Sequence, residues 1–246
     1  RRVPLDGKTV VPGLINAHGH VNNAERDLRT YAAYGVTSIL SLGGENAAVF
    51  AARDGQRVPA LTRARVWAAG AVLAPRTLEE ARQLVAENQR AGPDSVKIRI
   101  DDNLGTTTKM SPEIYRAVID EAHKRGRRVA VHMFYLEDAR SALDAGADLM
   151  AHSVRDTDVD AAFIDTLKRR NVCLVPTLMR DVSTFVYEST PPFFSDPFFL
   201  AHADPQQMAT LKEPARQAAL RANPATPRNK AGLEVATRNL KKLSDA

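Results

Sequence analysis

The stretch Pro12-Gly13-Leu14-Ile15-Asn16-Ala17-His18-Gly19-His20 decides how the rest of the chain is interpreted. An apolar run after a proline-glycine turn is typical of a buried strand. Because strand side chains alternate, His18 and His20 project from the same side of it. We therefore predict a metal-binding pair at the C-terminal end of the first strand, with Gly19 leaving room for the ion. The alternative, two solvated histidines in a loop, is disfavoured by the apolar run before them.

Beyond His20 the sequence alternates between short apolar segments and longer amphipathic ones. Seven strand-helix units in one direction predict parallel pairing with right-handed crossovers. They favour a TIM-type (β/α)₈ barrel over a doubly wound sheet. A doubly wound sheet that binds dinucleotides has a glycine-rich phosphate-binding turn after its first strand, and this sequence has His-Gly-His there instead. After the first, the predicted strands are Val36–Leu42, Arg65–Gly70, Ser95–Ile100, Arg128–Met133, Leu149–His152 and Val172–Leu178.

Polar residues at the ends of these strands are the candidate functional groups, because barrel chemistry gathers at the C-terminal face. In the fourth strand Lys97, Arg99 and Asp101 alternate with apolar residues and share one side. His132 and His152 end the fifth and sixth strands, so four of the six histidines terminate strands. For any one of them a structural histidine is the simpler account, but together they favour a metal site.

Composition excludes several classes of function. The 246 residues carry a net charge of +5, yet the basic residues are scattered without an aromatic-interleaved stripe, which argues against nucleic-acid binding. No apolar run approaches the length of a membrane span. The single cysteine, Cys173, excludes an internal disulfide and is predicted to be a packed core thiol. The chain opens at Arg1 rather than Met, so its compartment stays open.

The ordered motifs of this chain resemble the metal-dependent amidohydrolase superfamily, most closely its imidazolonepropionase-like and prolidase-like branch. The resemblance extends to about Met179 and is carried by Pro12–His20, Gly35–Ser38, Val96–Ile98, Val131–His132 and Ala151–Ser153. It implies that His18 and His20 bind one divalent ion and that His132 and His152 bind a second. It further implies that carboxylated Lys97 and a hydroxide bridge the two ions, with zinc as the expected metal and Lys97, His132 and His152 as catalytic residues.

Electrostatics supports the role of Lys97 independently of the resemblance. An ammonium group beside two divalent cations in a low-dielectric barrel would be strongly repelled and poorly solvated. Lys97 is therefore expected as a carbamate or a neutral amine. The rival interpretation is a lysine that extends to solvent from the barrel mouth.

The end of the chain departs from the family. Relatives would continue with an eighth strand ending in a catalytic aspartate and with a flanking β-sandwich, and Asp245, in a polar helix end, is not accepted as that aspartate. We therefore expect a partial catalytic barrel over residues 1–246, with strand eight absent. An isolated chain of this kind is expected to fold poorly and to be nearly inactive.

Residues 179–230 are predicted to form an insertion after the seventh strand that acts as a lid or pocket wall. The alternative is an apolar patch over the barrel rim or a homo-oligomer contact. Within this region Arg180 is a candidate for binding a substrate carboxylate and Tyr187 for lining the pocket. Tyr135, just past His132, is a candidate donor to the tetrahedral oxyanion.

Two main hypotheses of function remain from the sequence. The favoured one is a metal-dependent hydrolase of a C–N bond in a small amide, cyclic amide or dipeptide-like substrate, acting through a metal-bound hydroxide. The other is a non-catalytic barrel fragment that at most binds metal. A further alternative is a lactone or phosphotriester hydrolase on the same site.

Overall fold

Parallel strands alternate with helices through most of the computed structural model, which describes residues 4–246. The strands are β1 (Leu14–Gly19), β2 (Val36–Ser41), β3 (Arg65–Ala68), β4 (Val72–Leu73), β5 (Ser95–Arg99), β6 (Arg128–His132), β7 (Leu149–Met150) and β8 (Cys173–Leu174). The helices between them are α1 (Ala24–Ala33), α2 (Ala47–Asp54), α3 (Leu78–Gln89), α4 (Pro112–Lys124), α5 (Leu136–Asp144) and α6 (Ala161–Arg170). All six strand pairings are parallel.

The third strand position is divided into two pieces. β3 pairs with β2, whereas β4 pairs with β5, so two sheets with the orders β1-β2-β3 and β4-β5-β6-β7-β8 adjoin at this point. Gly70, between the pieces, has a φ of 80°, and a Cβ there would lie 2.1 Å from Asn88 Oδ1. The Asn88 side chain accepts from the Ala71 amide and donates to the Ala69 carbonyl. This amide from α3 therefore holds the bend, and β3 and β4 share one barrel position.

The predicted fold class, an α/β barrel sheet of parallel strands that alternate with helices, is confirmed, and the eight strands of residues 4–246 fill seven positions because β3 and β4 share one. β1 and β8 lie at the two ends of the strand order, and no pairing joins them within residues 4–246. The outer strands are consequently exposed, with Leu14 at 58% and Ile15 at 75%. The prediction that Cys173 is a packed core thiol is wrong, because Cys173 lies on the terminal strand β8 and is exposed.

The largest apolar core lies between the β4–β8 sheet and helices α3 to α6. Val96, Ile98 and Ile100 are fully buried in it, on the helix-facing side of β5 and just beyond its end. Strand alternation then directs Lys97 and Arg99 to the opposite side, into the barrel. The apolar core thus determines which charged side chains reach the functional face.

The chain after β8 is helical rather than a loop. It contains α7 (Leu178–Ser183), α8 (Pro197–His202), α9 (Pro205–Lys212), α10 (Pro214–Ala222) and α11 (Ala225–Asp245), with 3₁₀ turns at Val186–Glu188 and Pro192–Ser195. The strand predicted over Val172–Leu178 is only two residues long in the structure (β8), because the neighbouring β7 has only two residues that pair with it. None of the helices among the described residues is both long and apolar enough to cross a membrane.

A buried asparagine connects helix α11 to the segment after β7. Asn239, 1% exposed, accepts from the Val159 amide and donates to the carbonyls of Val154 and Thr157. Helix α11, with 21 residues, also contributes the buried residues Thr226, Gly232 and Ala236. Its contact with the segment after β7 fixes the chain that carries His152.

Candidate metal centre

Four histidine side chains meet at the C-terminal ends of the strands. The ring centroids are separated by 5.4 Å for His18 and His20, 4.7 Å for His18 and His152, and 4.2 Å for His132 and His152. Together with Lys97 they line a cavity of about 740 Å³. The structure therefore brings together all five residues that the sequence proposed as metal ligands.

Hydrogen bonds fix the tautomers of three of these imidazoles. Nδ1 of His18 lies 2.6 Å from the Ala151 carbonyl, and Nδ1 of His20 lies 3.1 Å from the Gly43 carbonyl. A carbonyl only accepts, so both Nδ1 atoms carry the proton and both Nε2 atoms keep a lone pair. Nε2 of His132 lies 3.1 Å from Asp101 Oδ2, which leaves Nδ1 as its free acceptor. This pattern, one nitrogen held and one lone pair available, is the one that metal-ligating histidines show.

The fourth imidazole is held by a hydroxyl group. His152 Nδ1 lies 2.6 Å from Thr177 Oγ1, and Thr177 adopts a left-handed conformation with φ of 50° just before α7 begins. The backbone of a β-branched residue rarely takes this conformation. The turn between β8 and α7 thus places Thr177 where it orients His152.

Burial keeps the imidazoles of His18, His132 and His152 neutral. Desolvation lowers the pKa of His18 to about 3 and that of His132 to about 4, and it holds the pKa of His152 well below its ordinary value. The hydrogen bond from His132 acts against burial at Asp101 and lowers the pKa of that carboxyl to about 2. Neutral imidazole is the form that binds a metal ion.

Lys97 places a buried amine among the four imidazoles of this cluster. It is 2% exposed, and its Nζ atom finds no hydrogen-bond partner among residues 4–246. Burial lowers the pKa of the Lys97 amine to about 7, against the opposing attraction of Asp101. A buried amine without a partner is costly, so the geometry indicates that Nζ has a further chemical role.

The donor set is compatible with two ions that share a lysine ligand. Within the part of the chain from residue 4 to 246, no three His, Cys, Asp or Glu side chains are arranged to hold one ion. Two imidazoles for each ion require a further ligand common to both, and Lys97 in a carboxylated form has the charge and the oxygen atoms for it. The orphaned Nζ is the observation that makes this arrangement fit.

The three predicted substrate-binding residues occupy different places. Arg180 lines the cavity of the histidine cluster and donates to Asp181 at 3.1 Å. Tyr187 lies on a neighbouring cavity that includes His20. The hydroxyl of Tyr135 donates to Asp102 at 2.9 Å, and Tyr135 does not belong to the lining of the histidine cavity.

Two carboxylates support the site, and the sequence interpretation assigned neither of them a role. Asp101, 4% exposed, orients His132, and the alternation of charges along the fourth strand was the signal for it. Glu45 joins the ends of β2 and β3: its carboxylate accepts from the Ser41 hydroxyl and from the amides of Gly43 and Gly70. The Gly43 carbonyl in turn accepts from His20. No local sequence pattern identifies this role of Glu45, because Gly70 lies 25 residues further along the chain.

The role predicted for Gly19 is wrong. A Cβ at this position would lie 2.3 Å from Ile39 Cδ1, on the side of β1 opposite to His18 and His20. Glycine is needed there because β1 approaches β2 closely, and it does not provide space for an ion.

The fold and the site have the arrangement of a barrel enzyme. A polar cluster lies at the C-terminal edge of a parallel barrel sheet, where enzymes of this fold place their active sites.

The sequence profile of the amidohydrolase family matches residues 9–189, so the chain belongs to this family. Uncharacterised proteins of Mycobacterium tuberculosis and Mycobacterium bovis are each 29% identical over 198 residues, which is 71% of this chain and 52% of theirs. The chain therefore spans about half the length of these curated relatives.

Solved structures of prolidase-like amidohydrolases have the same fold. A candidate prolidase from Bifidobacterium longum matches with a TM-score of 0.65 at 24% identity, covering 95% of this chain and 56% of that one. A Xaa-Pro dipeptidase with bound methionine matches with a TM-score of 0.66 at 19% identity, covering 95% and 63%. A prolidase in complex with N-methylphosphonate-L-proline matches with a TM-score of 0.59 at 16% identity, covering 97% and 79%. At these identities the similarity concerns the fold.

Proposed function

We propose that this chain carries the metal centre of a hydrolase that cleaves a C–N bond in a small amide, cyclic amide or dipeptide. The observation that carries the proposal is the buried, unpartnered Nζ of Lys97 among four imidazoles. His18 and His20 would hold one divalent ion, His132 and His152 a second, and carboxylated Lys97 would bridge them. Imidazole ligands suit zinc. When bound, the ions would supply a hydroxide nucleophile near neutral pH and polarise the scissile carbonyl.

The contribution of the chain itself is orientation. The Ala151 and Gly43 carbonyls, Asp101 and Thr177 each hold one ring nitrogen, so the four imidazoles are preorganised before any ion binds. The depressed pKa values remove the proton competition that would otherwise weaken metal binding near neutral pH. The buried Lys97 amine, with its pKa of about 7, is largely unprotonated above that pH, which is the form that takes up carbon dioxide.

Residues near the rim would orient the substrate. Arg180 lines the cavity and shares Asp181 with the buried Arg155. It would bind a substrate carboxylate there. Tyr135 could donate to an oxyanion only after its hydroxyl leaves Asp102, so this role requires a rearrangement. Tyr187 would contact the part of the substrate that enters the neighbouring cavity.

A hydrolysis panel tests the proposal. The chain is loaded with zinc in bicarbonate buffer and assayed on N-acyl amino acids, Xaa-Pro and Xaa-Arg dipeptides, cyclic amides, lactones and phosphotriesters. We expect C–N bond hydrolysis at a low rate, because the isolated chain is expected to be nearly inactive. This hydrolysis should disappear in Lys97→Met and persist in Lys124→Met, which replaces an exposed lysine on α4. Lactone or phosphotriester cleavage without amide cleavage would reassign the substrate class. No hydrolysis with bound zinc would favour the non-catalytic alternative.

A further inference from the structure

A second cavity, of about 950 Å³, adjoins the metal centre, and His20 belongs to the walls of both cavities. We refer to it as the α1 cavity, because one wall is the face of α1 that carries Thr30 and Tyr31. The opposite wall comes from residues 187–211. Its volume lies in the range of small-molecule sites. A group bound in the α1 cavity would therefore lie directly beside the proposed metal ligands.

The wall formed by residues 187–211 is aromatic and ordered by its own packing. The rings of Phe194 and Phe199 stack with centroids 5.5 Å apart, and Tyr187 lies 5.9 Å from Phe194. Phe194 is 5% exposed and Met208 is 9% exposed. Aromatic rings give a large apolar surface of fixed shape, and the flexible thioether of Met208 can adjust to the group that packs against it. Such a wall suits an aromatic or branched apolar group.

The cavity on the other side of the metal centre is lined by several arginines. A third cavity, of about 560 Å³, shares His132, Arg99 and Arg180 with the metal cavity and adds Arg155 and Arg228 to its lining. Asp101 is the acidic residue of that lining. The three cavities therefore follow one another, from the α1 cavity with its aromatic wall through His20 to the metal centre, and through His132 to the arginine-lined one.

From this order we propose that the α1 cavity binds a bulky aromatic or branched apolar group of the substrate, on the side of the scissile bond away from the arginines. The inference rests on the proposed hydrolase function and narrows its substrates. They would be amides or dipeptides with a bulky apolar group at one end and a carboxylate at the other.

The test uses binding to the metal-free chain, so that its outcome does not depend on turnover. N-naphthoylglycine and N-acetylglycine share an amide and a carboxylate and differ only in the bulk of the acyl group. Calorimetry gives the affinity of the first, and competition gives that of the second. We expect N-naphthoylglycine to bind about tenfold tighter or more, since burying a ring of this size is worth at least that factor. Equal affinities, or no binding of the naphthoyl compound, would overturn the proposal.

A pair of tryptophan variants locates the site. Ala203 lines the α1 cavity, whereas Ala201 is exposed on α8 and does not belong to the lining. Ala203→Trp should weaken N-naphthoylglycine binding about tenfold, while Ala201→Trp should bind like the unmodified chain. If Ala203→Trp does not fold by circular dichroism, Thr30→Phe fills the cavity from the α1 wall.

Identical binding by folded Ala203→Trp or Thr30→Phe and by the Ala201→Trp control would place the naphthoyl group elsewhere and refute the inference. Failure of the proposed function appears differently, as absent hydrolysis by the zinc-loaded chain while the naphthoyl preference remains.

Discussion

His132 Nε2 lies 3.1 Å from Oδ2 of Asp101, a carboxylate that is 4% exposed. The pairing follows from the register, because Arg99 is the β5 partner of His132 and Asp101 lies two residues beyond it on the same side. The carboxylate accepts a hydrogen bond from Nε2 and leaves Nδ1 of His132 with a free lone pair. A single hydrogen bond between neighbouring strands therefore selects the tautomer of a proposed ligand.

Asp101→Asn should weaken metal binding about tenfold to a hundredfold, the usual effect of losing a partner that orients a ligand. The amide retains the shape of the side chain but loses the charge that holds the Nε2 proton. Titration against a competing chelator measures the change. Asp120→Asn, at an exposed position on α4, is the control. Equal zinc affinity in Asp101→Asn and the control would mean that Asp101 does not support a ligand.

The stability of the metal-free chain should fall in mild acid. Burial lowers the pKa of His18 to about 3 and of His132 to about 4, so the folded state binds fewer protons than the unfolded state below the unfolded value of 6.5. The free energy of unfolding therefore has its full value above pH 6.5 and decreases as the pH falls below it. Each histidine contributes up to about 1.4 kcal/mol for each pH unit in that window.

Urea unfolding of the metal-free chain between about pH 7 and about pH 5 measures this loss, since the window opens near the ordinary histidine pKa. His132→Gln removes one of the titrating groups and should give a shallower dependence. A free energy of unfolding that stays constant over this interval would show that the imidazoles are not held neutral by burial.

Glu45→Gln should lower the free energy of unfolding by about 2 kcal/mol. This is the cost of leaving a buried N–H or O–H group without a hydrogen-bond acceptor. Its carboxylate accepts from Ser41, Gly43 and Gly70, and an amide nitrogen would face one of those donors. Urea unfolding compares it with Glu234→Gln, at an exposed position on α11. Equal stabilities would show that Glu45 does not hold the strand ends together.

Ile15→Lys should raise the soluble yield of the chain without lowering its stability. Ile15 is 75% exposed on β1, which lies at the end of its sheet, and charged side chains on edge strands oppose edge-to-edge association. Static light scattering at increasing concentration measures the association. Ile15→Val keeps the apolar character and should behave like the unmodified chain. If the lysine variant associates equally, another surface causes the association.

The strand order and the histidine cluster could be predicted because both follow from local patterns. Val96, Ile98 and Ile100 mark the buried side of the fourth predicted strand, so the placement of Lys97 opposite them needs no tertiary information. Strand ends in a parallel barrel meet at one face, which brings His132 and His152 together.

Features that depend on distant neighbours could not be predicted. The need for Gly19 comes from Ile39 on the next strand, and the exposure of Cys173 comes from its place on an outer strand. Thr177 orients His152 through a left-handed turn that its residue type disfavours. Periodicity reports which side of an element is buried, but it does not report which residue of another element lies against it.

The most direct test of the central claim is the zinc content of the chain after reconstitution in bicarbonate, measured by elemental analysis beside Lys97→Met. A centre in which Lys97 joins two pairs of imidazoles predicts about two zinc ions per chain and a loss of zinc in the variant. Fewer than one ion per unmodified chain, or an unchanged zinc content in folded Lys97→Met, would contradict the shared centre.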